Sequence, residues 1–482
     1  MNNQMHKILA SDVFDQLPAV DSVLVDEKLE QESRHFNRKI IVLDDDPTGV
    51  QTVHGISVYT DWSEESIKRG FLEDNPMFFI LTNSRGFIAA ETEAAHREIA
   101  AHIAAVAHKL NQPFIVISRG DSTLRGHYPL ETKTLKGTIE KKSEMQFDGE
   151  VLIPFFKEGG RFTIDNIHYV QVEDYLIPAG ETEFAQDRTF GYTKSHLGEW
   201  AEEKSNDEFK AEDTTYISLD SIRLLEIDKI TKQLLEVTDF NKVVVNAVDY
   251  VDVKIFTIAL LRAIKSGKNF LFRSAAAFTK VIGGVSDKAL LTREELIKQE
   301  SGNGGLILVG SHVKKTTEQL EELKKCTSIQ FIEFDSHLVL HPEKFNAEVN
   351  RVIALCEDFL GSGTTVTVYT RRERLDLGKD RQEEELQLSV RISDAVTSIV
   401  QRLKVRPSYI VAKGGITSSD IGTKGLQVRR ATVAGQIKPG IPVWITGDES
   451  KFPGIAYVIF PGNVGAKTTL RETVEILNSQ RS

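Results

Sequence analysis

The stretch that constrains this chain most is Ile40-Ile41-Val42-Leu43, which runs directly into Asp44-Asp45-Asp46-Pro47-Thr48-Gly49. Four consecutive apolar residues, mostly β-branched, read as a strand buried on both faces, the pattern of a parallel sheet. Three carboxylates then stand at the strand's C-terminal end, and Pro, Thr and Gly turn the chain. In open α/β sheets that end is where ligands bind. Adjacent acids repel one another, so their presence at a strand tip points to a chemical use, such as holding a metal, binding a polyol or moving a proton. The plain alternative is an acidic turn in which Asp46 caps the segment that follows.

At roughly 100–200 residues per domain, a chain of 482 residues should hold two or three domains. Its 40% hydrophobic and 27% charged residues can build a full core without staples. A net charge of -11 argues against nucleic acid as partner, which needs a basic surface. Two cysteines, Cys326 and Cys356, can build neither a disulfide framework nor a cysteine metal cluster, which suits a reducing compartment. No run approaches the roughly 18 apolar residues of a membrane span. Residues 1–38 lack the basic-then-apolar order of a signal peptide. A cytoplasmic protein without a membrane partner is expected.

After a polar extension over residues 1–36, apolar strand candidates alternate with helical periodicity. Ile56–Thr60, Met77–Thr82 and Phe114–Ser118 read as strands, with Ser63 as a helix cap and a long helix over Glu91–Leu110. Over Phe155–Thr193 glycines, aromatics and polar residues replace the periodicity, and Arg161–Val172 suggests a hairpin arm. Alternation resumes with helices at Ser221–Thr238 and Val251–Ser266 and strands at Lys242–Ala247 and Phe270–Arg273. The glycine-rich stretch from Gln299 to Gly305 reads as a linker. A second α/β series follows, with strands at Leu306–Val309, Thr364–Thr370, Tyr409–Ala412, Val443–Thr446 and Ala456–Phe460. The expected architecture is α/β: two domains with largely parallel sheets and a cleft between them, over residues 37–300 and 301–482.

Three strands of the second series end in glycine-bearing turns: Gly310-Ser311-His312, Gly414-Gly415-Ile416-Thr417-Ser418 and Gly462-Asn463-Val464-Gly465. Glycine admits close backbone approach, and free N–H groups before a helix bind anions. Three such turns at one sheet edge suggest a phosphate or nucleotide site; singly, each is an ordinary tight turn. A P-loop at Phe460–Thr469 is excluded, since Pro461 and Ala466 stand where glycines are needed. The first series offers three polar strand ends, at Asp44–Thr48, Asn83–Arg85 and Arg119–Arg125. Arginine grips carboxylates with two parallel hydrogen bonds, and aspartate accepts from sugar hydroxyls or acts as a base. That mixture suits a small polyhydroxy acid. The competing reading is that Arg119 and Arg125 simply pair with neighbouring acids. The histidines show no metal-binding spacing, and His54, His127 and His168 read as structural or peripheral.

Asp45-Asp46-Pro47-Thr48-Gly49 resembles the Asp-Asp-x-Thr-Gly motif of the four-carbon acid sugar kinase family. Asn83-Ser84-Arg85, Asp121-Ser122-Thr123-Leu124-Arg125-Gly126 and the turns at Gly414 and Gly462 are similar to its other signatures, in the same order, from about Lys39 to Thr469. Pro47, the additional Asp44 and Arg119-Gly120 depart from the usual pattern and mark a distinct branch. The resemblance implies an N-terminal sugar-acid domain, a C-terminal ATP domain, and phosphorylation of a tetronate or oxo-tetronate at a hydroxyl. Mg²⁺ is expected with ATP, its protein ligands unassigned. A homodimer is left open.

The expected acid-binding set is Asp45, Asp46, Arg85, Arg119, Asp121, Ser122, Thr123 and Arg125. Arg85 is expected to take the substrate carboxylate, Asp45 to position substrate and Asp121 to act as base. Asp44, the most direct continuation of the strand, should point into structure. The expected nucleotide set is Ser311, Gly414, Gly415, Thr417, Ser418, Gly462 and Asn463. Another ATP-dependent phosphotransferase or ligase, or a non-catalytic nucleotide or metabolite sensor, are the alternatives.

Overall fold

The run Ile40–Leu43 is completely buried and forms a strand with neighbours on both sides. The structure, a computed structural model, describes residues 7–298, 301–373, 382–462 and 464–479. Its strands in chain order begin with β1 (Ile8–Leu9), β2 (Lys39–Asp44), β3 (Ser57–Tyr59), β4 (Met77–Leu81), β5 (Phe114–Arg119) and β6 (Gly149–Ile153). They continue with β7 (Arg161–Ile164), β8 (Ile167–Val172), β9 (Tyr175–Pro178), β10 (Thr215–Ile217), β11 (Asn241–Val245) and β12 (Phe270–Ser274). The remainder are β13 (Leu306–Val309), β14 (Ile329–Phe334), β15 (Thr365–Thr370), β16 (Tyr409–Lys413), β17 (Arg430–Lys438), β18 (Ile441–Thr446) and β19 (Ala456–Phe460). The described chain divides into two units, one running to Thr52 and from Asp61 to Ser286, the other comprising Val53–Thr60 and the residues from Asp287 onward.

The first unit holds a wholly parallel sheet in the order β10-β11-β6-β12-β5-β2-β4. Its connections run through helices, as parallel pairing requires. The helix Ala89–Leu110 ends where Asn111 adopts a left-handed conformation at φ 49°. The helix Tyr250–Lys265 begins with reciprocal capping, in which the Asp249 and Asp252 carboxylates each accept backbone N–H groups. The expected helix Ser221–Thr238 is two helices, Leu219–Arg223 and Ile227–Glu236, broken where Leu225 takes φ 56°. The expected hairpin arm is part of a second, antiparallel sheet of order β1-β9-β8-β7. The N-terminal extension is built into this unit. β1 pairs with β9, and the helix Ser22–Ser33 forms ion pairs with the helix Tyr250–Lys265 through Asp26–Lys254 at 2.6 Å and Glu32–Arg262 at 2.7 Å.

In the second unit β19-β16-β13-β15-β14 form a parallel sheet, extended by antiparallel β18, β17 and β3. The boundary lies earlier than residue 301, and one early strand belongs to this unit. Leu291, Leu296 and Ile297 share a core cluster with Ile437, Ile441 and Val443, and β3 pairs in register with β17. Apolar burial, rather than the glycine-rich stretch, decides where the unit begins. Among the described residues no helix is long and apolar enough to cross a membrane.

Central strand β6 carries Glu150, fully buried and 2.7 Å from the equally buried Lys242 of β11. The Lys242 ammonium also lies over the Phe209 and Phe240 rings, 3.4 and 4.1 Å from their centroids. Removing one partner of a buried pair leaves the other charge uncompensated. Lys242→Ala should therefore lower stability by roughly 3–5 kcal/mol in denaturant unfolding. A loss well under 1 kcal/mol would contradict this account of the pair.

Candidate functional site

Parallel register builds the first half of the site. In the β2–β5 pairing Asp44 stands opposite Arg119, and in the β5–β12 pairing Arg119 stands opposite Ser274. The Asp44 carboxylate accepts from Arg119 Nη1 at 3.2 Å and is almost inaccessible. The turn that follows folds back over it. A Cβ added at Gly49 would lie 1.9 Å from Asp44 Oδ2, so only glycine fits this close approach. Burial pushes the Asp44 carboxyl up to about 7, against the pull of Arg119 and with the help of Asp45 and Asp46. As expected, Asp44 points into structure.

Asp45 and Asp46 meet Arg85, which the tight turn Ser84–Gly86 presents after β4. Arg85 donates from Nε and Nη2 to the two Asp45 oxygens at 3.2 and 2.7 Å, and from Nη1 to Asp46 at 3.2 Å. This is the two-pronged geometry that arginine makes with carboxylates. Asp46 also accepts from the Thr48 N–H and hydroxyl at 2.8 and 2.6 Å. Burial opposes its charge, yet Arg85 and Thr48 hold the Asp46 carboxyl below the usual range. Burial raises Asp45 in spite of Arg85. The expected carboxylate anchor thus has its fork on two aspartates of its own chain.

The loop after β5 supplies the rest. Gly120 and Gly126 make room for Arg273 of β12: an added Cβ would lie 2.1 Å from its Cζ at the first and 2.8 Å from Nη2 at the second. Gly126 takes φ 123° and Leu124 φ 68°. Asp121 accepts from Arg125 Nε at 2.7 Å and from the Thr123 hydroxyl. Burial disfavours its charge, but Arg85, Arg125 and Thr123 hold it ionised, well below the usual carboxylate range. Arg125 also faces Asp187 at 3.7 Å. Ser122 and Thr123 lie in the same turn, and their carbonyls are pinned: His168 Nε2 donates to Ser122 O at 2.7 Å and the Tyr192 hydroxyl to Thr123 O at 2.7 Å. Buried His168, pushed down to about 4 by burial, is neutral, with Nδ1 accepting from the Thr163 hydroxyl at 3.0 Å.

Sequence reasoning missed the layer beneath. Glu131 is buried and accepts from Ser84 Oγ at 2.7 Å and Arg273 Nη1 at 2.8 Å. It thereby ties the strand ends of β4 and β12 together. Nothing in its helical surroundings, Leu130–Lys142, distinguishes it from a surface glutamate.

In the second unit the turns after β13, β16 and β19 come together. An added Cβ at Gly310 would lie 2.5 Å from Thr417 Oγ1, one at Gly414 3.1 Å from Ser311 Cβ, and one at Gly462 3.7 Å from Ser311 Oγ. Gly414 takes φ 123°, and its N–H donates to Phe460 O at 2.9 Å. Gly415 opens the short helix Gly415–Asp420. Ser418 is turned inward, its hydroxyl donating to Ala412 O at 2.8 Å. Asn463 lies outside the described residues. Two cations were not foreseen. Lys413 is buried, donates to Pro461 O and to Gly462 O at 3.0 Å, and is pushed down to about 7 by burial. Arg372 donates from Nη2 to Ser311 O at 2.6 Å and Thr317 Oγ1 at 2.8 Å, while its Nε and Nη1 are buried without a partner among the described residues. Converging glycine turns beside orphaned guanidinium nitrogens fit an anionic phosphate group. Among the described residues no three His, Cys, Asp or Glu side chains form a metal cage. Mg²⁺ bound chiefly through phosphates does not need one.

Asp44 provides a pH test. Its folded-state pKa lies above that of an unfolded aspartate, so the folded state holds the proton to higher pH. Its contribution to stability therefore falls as pH rises from about 4 to about 7 and is constant above. The stability of wild type minus that of Asp44→Asn should decline across this window, by on the order of 2–4 kcal/mol. A pH-independent difference would contradict the raised carboxyl.

A family model described as a sugar-binding N-terminal domain matches residues 40–282, and one described as a nucleotide-binding C-terminal domain matches residues 306–470. No curated protein sequence matches the chain. Among solved structures, Haemophilus influenzae protein HI1011, of the family DUF1537, is similar with a TM-score of 0.60 at 17% identity, over 90% of this chain and 99% of its own. A Salmonella typhimurium LT2 protein provisionally named a tRNA synthase is similar with a TM-score of 0.63 at 14% identity, over 90% of this chain and 98% of its own. These likenesses show a shared fold. The chain belongs to the family that joins a sugar-binding N-terminal domain to a nucleotide-binding C-terminal domain, an arrangement that fits the four-carbon acid sugar kinases its motifs resemble.

Proposed function

We propose that this protein is an ATP-dependent kinase that phosphorylates a four-carbon sugar acid, a tetronate or oxo-tetronate, at a hydroxyl. The observation that carries the reading is the pairing, in one chain, of two sites. One is a carboxylate–arginine cluster on the strand ends of a sugar-binding domain; the other is a set of converging glycine turns in a nucleotide-binding domain. Asp45 and Asp46, fixed by Arg85, would accept hydrogen bonds from substrate hydroxyls. Ser311, Gly414, Gly415, Thr417 and Gly462 would surround the phosphates of ATP, with Arg372 at their side. A cytoplasmic location is part of the same reading.

In the reaction the substrate oxygen forms a bond to the γ-phosphorus while the bond to the β,γ-bridging oxygen breaks and ADP leaves. Positioning and charge neutralisation supply most of such catalysis. Asp121 is the proposed acceptor for the attacking hydroxyl. Its strongly ionised carboxylate suits orientation of that hydroxyl, with the proton passing on to solvent as the bond forms. Mg²⁺ accompanying ATP would neutralise developing phosphate charge.

Incubation with ATP and a panel of tetronates should yield ADP and a phosphorylated acid. AMP release would favour a ligase, and binding without turnover a sensor. Asp121→Asn should lower kcat by roughly a hundred- to ten-thousand-fold with near-normal ligand affinity; near-normal kcat would exclude Asp121. Gly414→Val, which forces a side chain onto φ 123° beside Ser311, should abolish ATP binding in calorimetry and leave sugar-acid binding intact. Unchanged ATP affinity would remove the glycine turns from the nucleotide site.

A further inference from the structure

The arginines at the strand ends of the first unit are matched to acids of the chain itself: Arg85 to Asp45 and Asp46, Arg119 to Asp44, Arg125 to Asp121 and Asp187, Arg273 to Glu131. One further arginine beside them is not. Arg161 opens β7, and among the described residues its guanidinium makes neither an ion pair nor a hydrogen bond. Its Nε is buried without a partner.

Strand geometry sets its direction. Residues two apart on a strand share a face, so Arg161 lies on the side of Thr163. The Thr163 hydroxyl meets His168, and His168 in turn holds the Ser122 carbonyl. Arg161 therefore faces the Asp121–Arg125 turn. The Phe184 ring confirms the neighbourhood: the Arg161 and Arg125 guanidiniums lie 5.4 and 5.1 Å from its centroid. Burial and the nearby Arg125 charge both disfavour the Arg161 cation, while Asp121 favours it. A partly buried guanidinium held beside another cation, without a carboxylate of its own, is costly in the absence of an anion.

We propose that Arg161, with Arg125 beside it, is the anchor for the carboxylate of the substrate and sets the preference for an acid over a neutral polyol. This rests on the sugar-acid kinase reading and names the recognising residue within it. A carboxylate would complete the unpaired fork and leave the acid's hydroxyls beside Asp121. Arg85, whose fork is on Asp45 and Asp46, then orders the aspartates instead of binding the acid group.

The test compares wild type with Arg161→Met, which keeps an apolar stem over Phe184, and Arg161→Lys, which keeps the charge without the fork. Initial rates are measured with the tetronate that wild type phosphorylates, with the four-carbon polyol lacking the carboxylate, and with varied ATP. Arg161→Met should raise KM for the acid by roughly ten- to a hundredfold, the loss expected for a hydrogen bond between charged groups. KM for ATP and for the polyol should stay at wild-type values, and Arg161→Lys should recover part of the loss. A wild-type KM for the acid in Arg161→Met overturns the proposal, as does an equal loss for acid and polyol, which a structural role would produce. If Arg161→Met fails to fold, a wild-type acid-over-polyol preference and KM in Arg161→Lys overturns it. If wild type phosphorylates no acid of the panel, the kinase reading fails instead. Calorimetric titration of wild type and Arg161→Met with tetronate and polyol then decides the anchor separately: selective loss of tetronate binding supports it, and equal binding or no acid binding by wild type overturns it.

Discussion

The first unit depends on how a parallel sheet accommodates charge at the carboxyl ends of its strands. Asp44, Asp45 and Asp46 follow a strand with no access to solvent, where like charges and desolvation both oppose ionisation. The fold compensates with guanidiniums from neighbouring strand ends. Arg119 comes from β5, Arg85 from the turn after β4, and Arg273 from β12 with Glu131 as its counter-charge. Gly49, Gly120 and Gly126 are where this lattice becomes too tight for any Cβ. The motif glycines thus follow from the packing of ions, and the site is rigid because each aspartate is held from more than one direction.

Environment then gives identical side chains different character. Asp44, sealed under its own turn, holds a proton to about neutral pH, whereas Asp121, between arginines and a hydroxyl, is ionised far below it. Such divergence among carboxylates is how a fold assigns separate roles to chemically equivalent groups. The antiparallel sheet of the first unit contributes in the same manner. His168 secures the Asp121 turn by its backbone, and Arg161 brings an unmatched positive charge to its side chains.

The second unit solves a different problem with less charge. Its turns approach one another closely enough that Gly310, Gly414 and Gly462 each look onto Ser311 or Thr417. Lys413 binds the backbone of the last turn from within, donating to the carbonyls of Pro461 and Gly462. The result is a set of closely approaching backbone turns flanked by a guanidinium whose Nε and Nη1 have no partner among the described residues, suited to an anion by its donors.

Local sequence determined the strands β2, β4, β5 and β13, because unbroken apolar runs bounded by turn residues have one stable use in an alternating chain. It also determined that acids, arginines and glycines would stand at their ends. Central strand β6 escaped that reading because its apolar run is only Val151-Leu152-Ile153, preceded by Gly149 and a charged Glu150 whose burial is matched by Lys242 of β11. The start of the second unit escaped too, since Leu291 and Ile297 join a core that brings nearby Ile307 and Val309 together with Ile437, Ile441 and Val443 from far later in the chain. Tertiary structure alone decided the pairing of charges. Which arginine meets which carboxylate depends on how strands and helices are placed, which brings Asp44 to Arg119 and Arg273 to Glu131, and leaves Arg161 beside the Asp121 turn without an acid among the described residues. A sequence records the charges; the distances between them, which set their energies, exist only once the strands are in place.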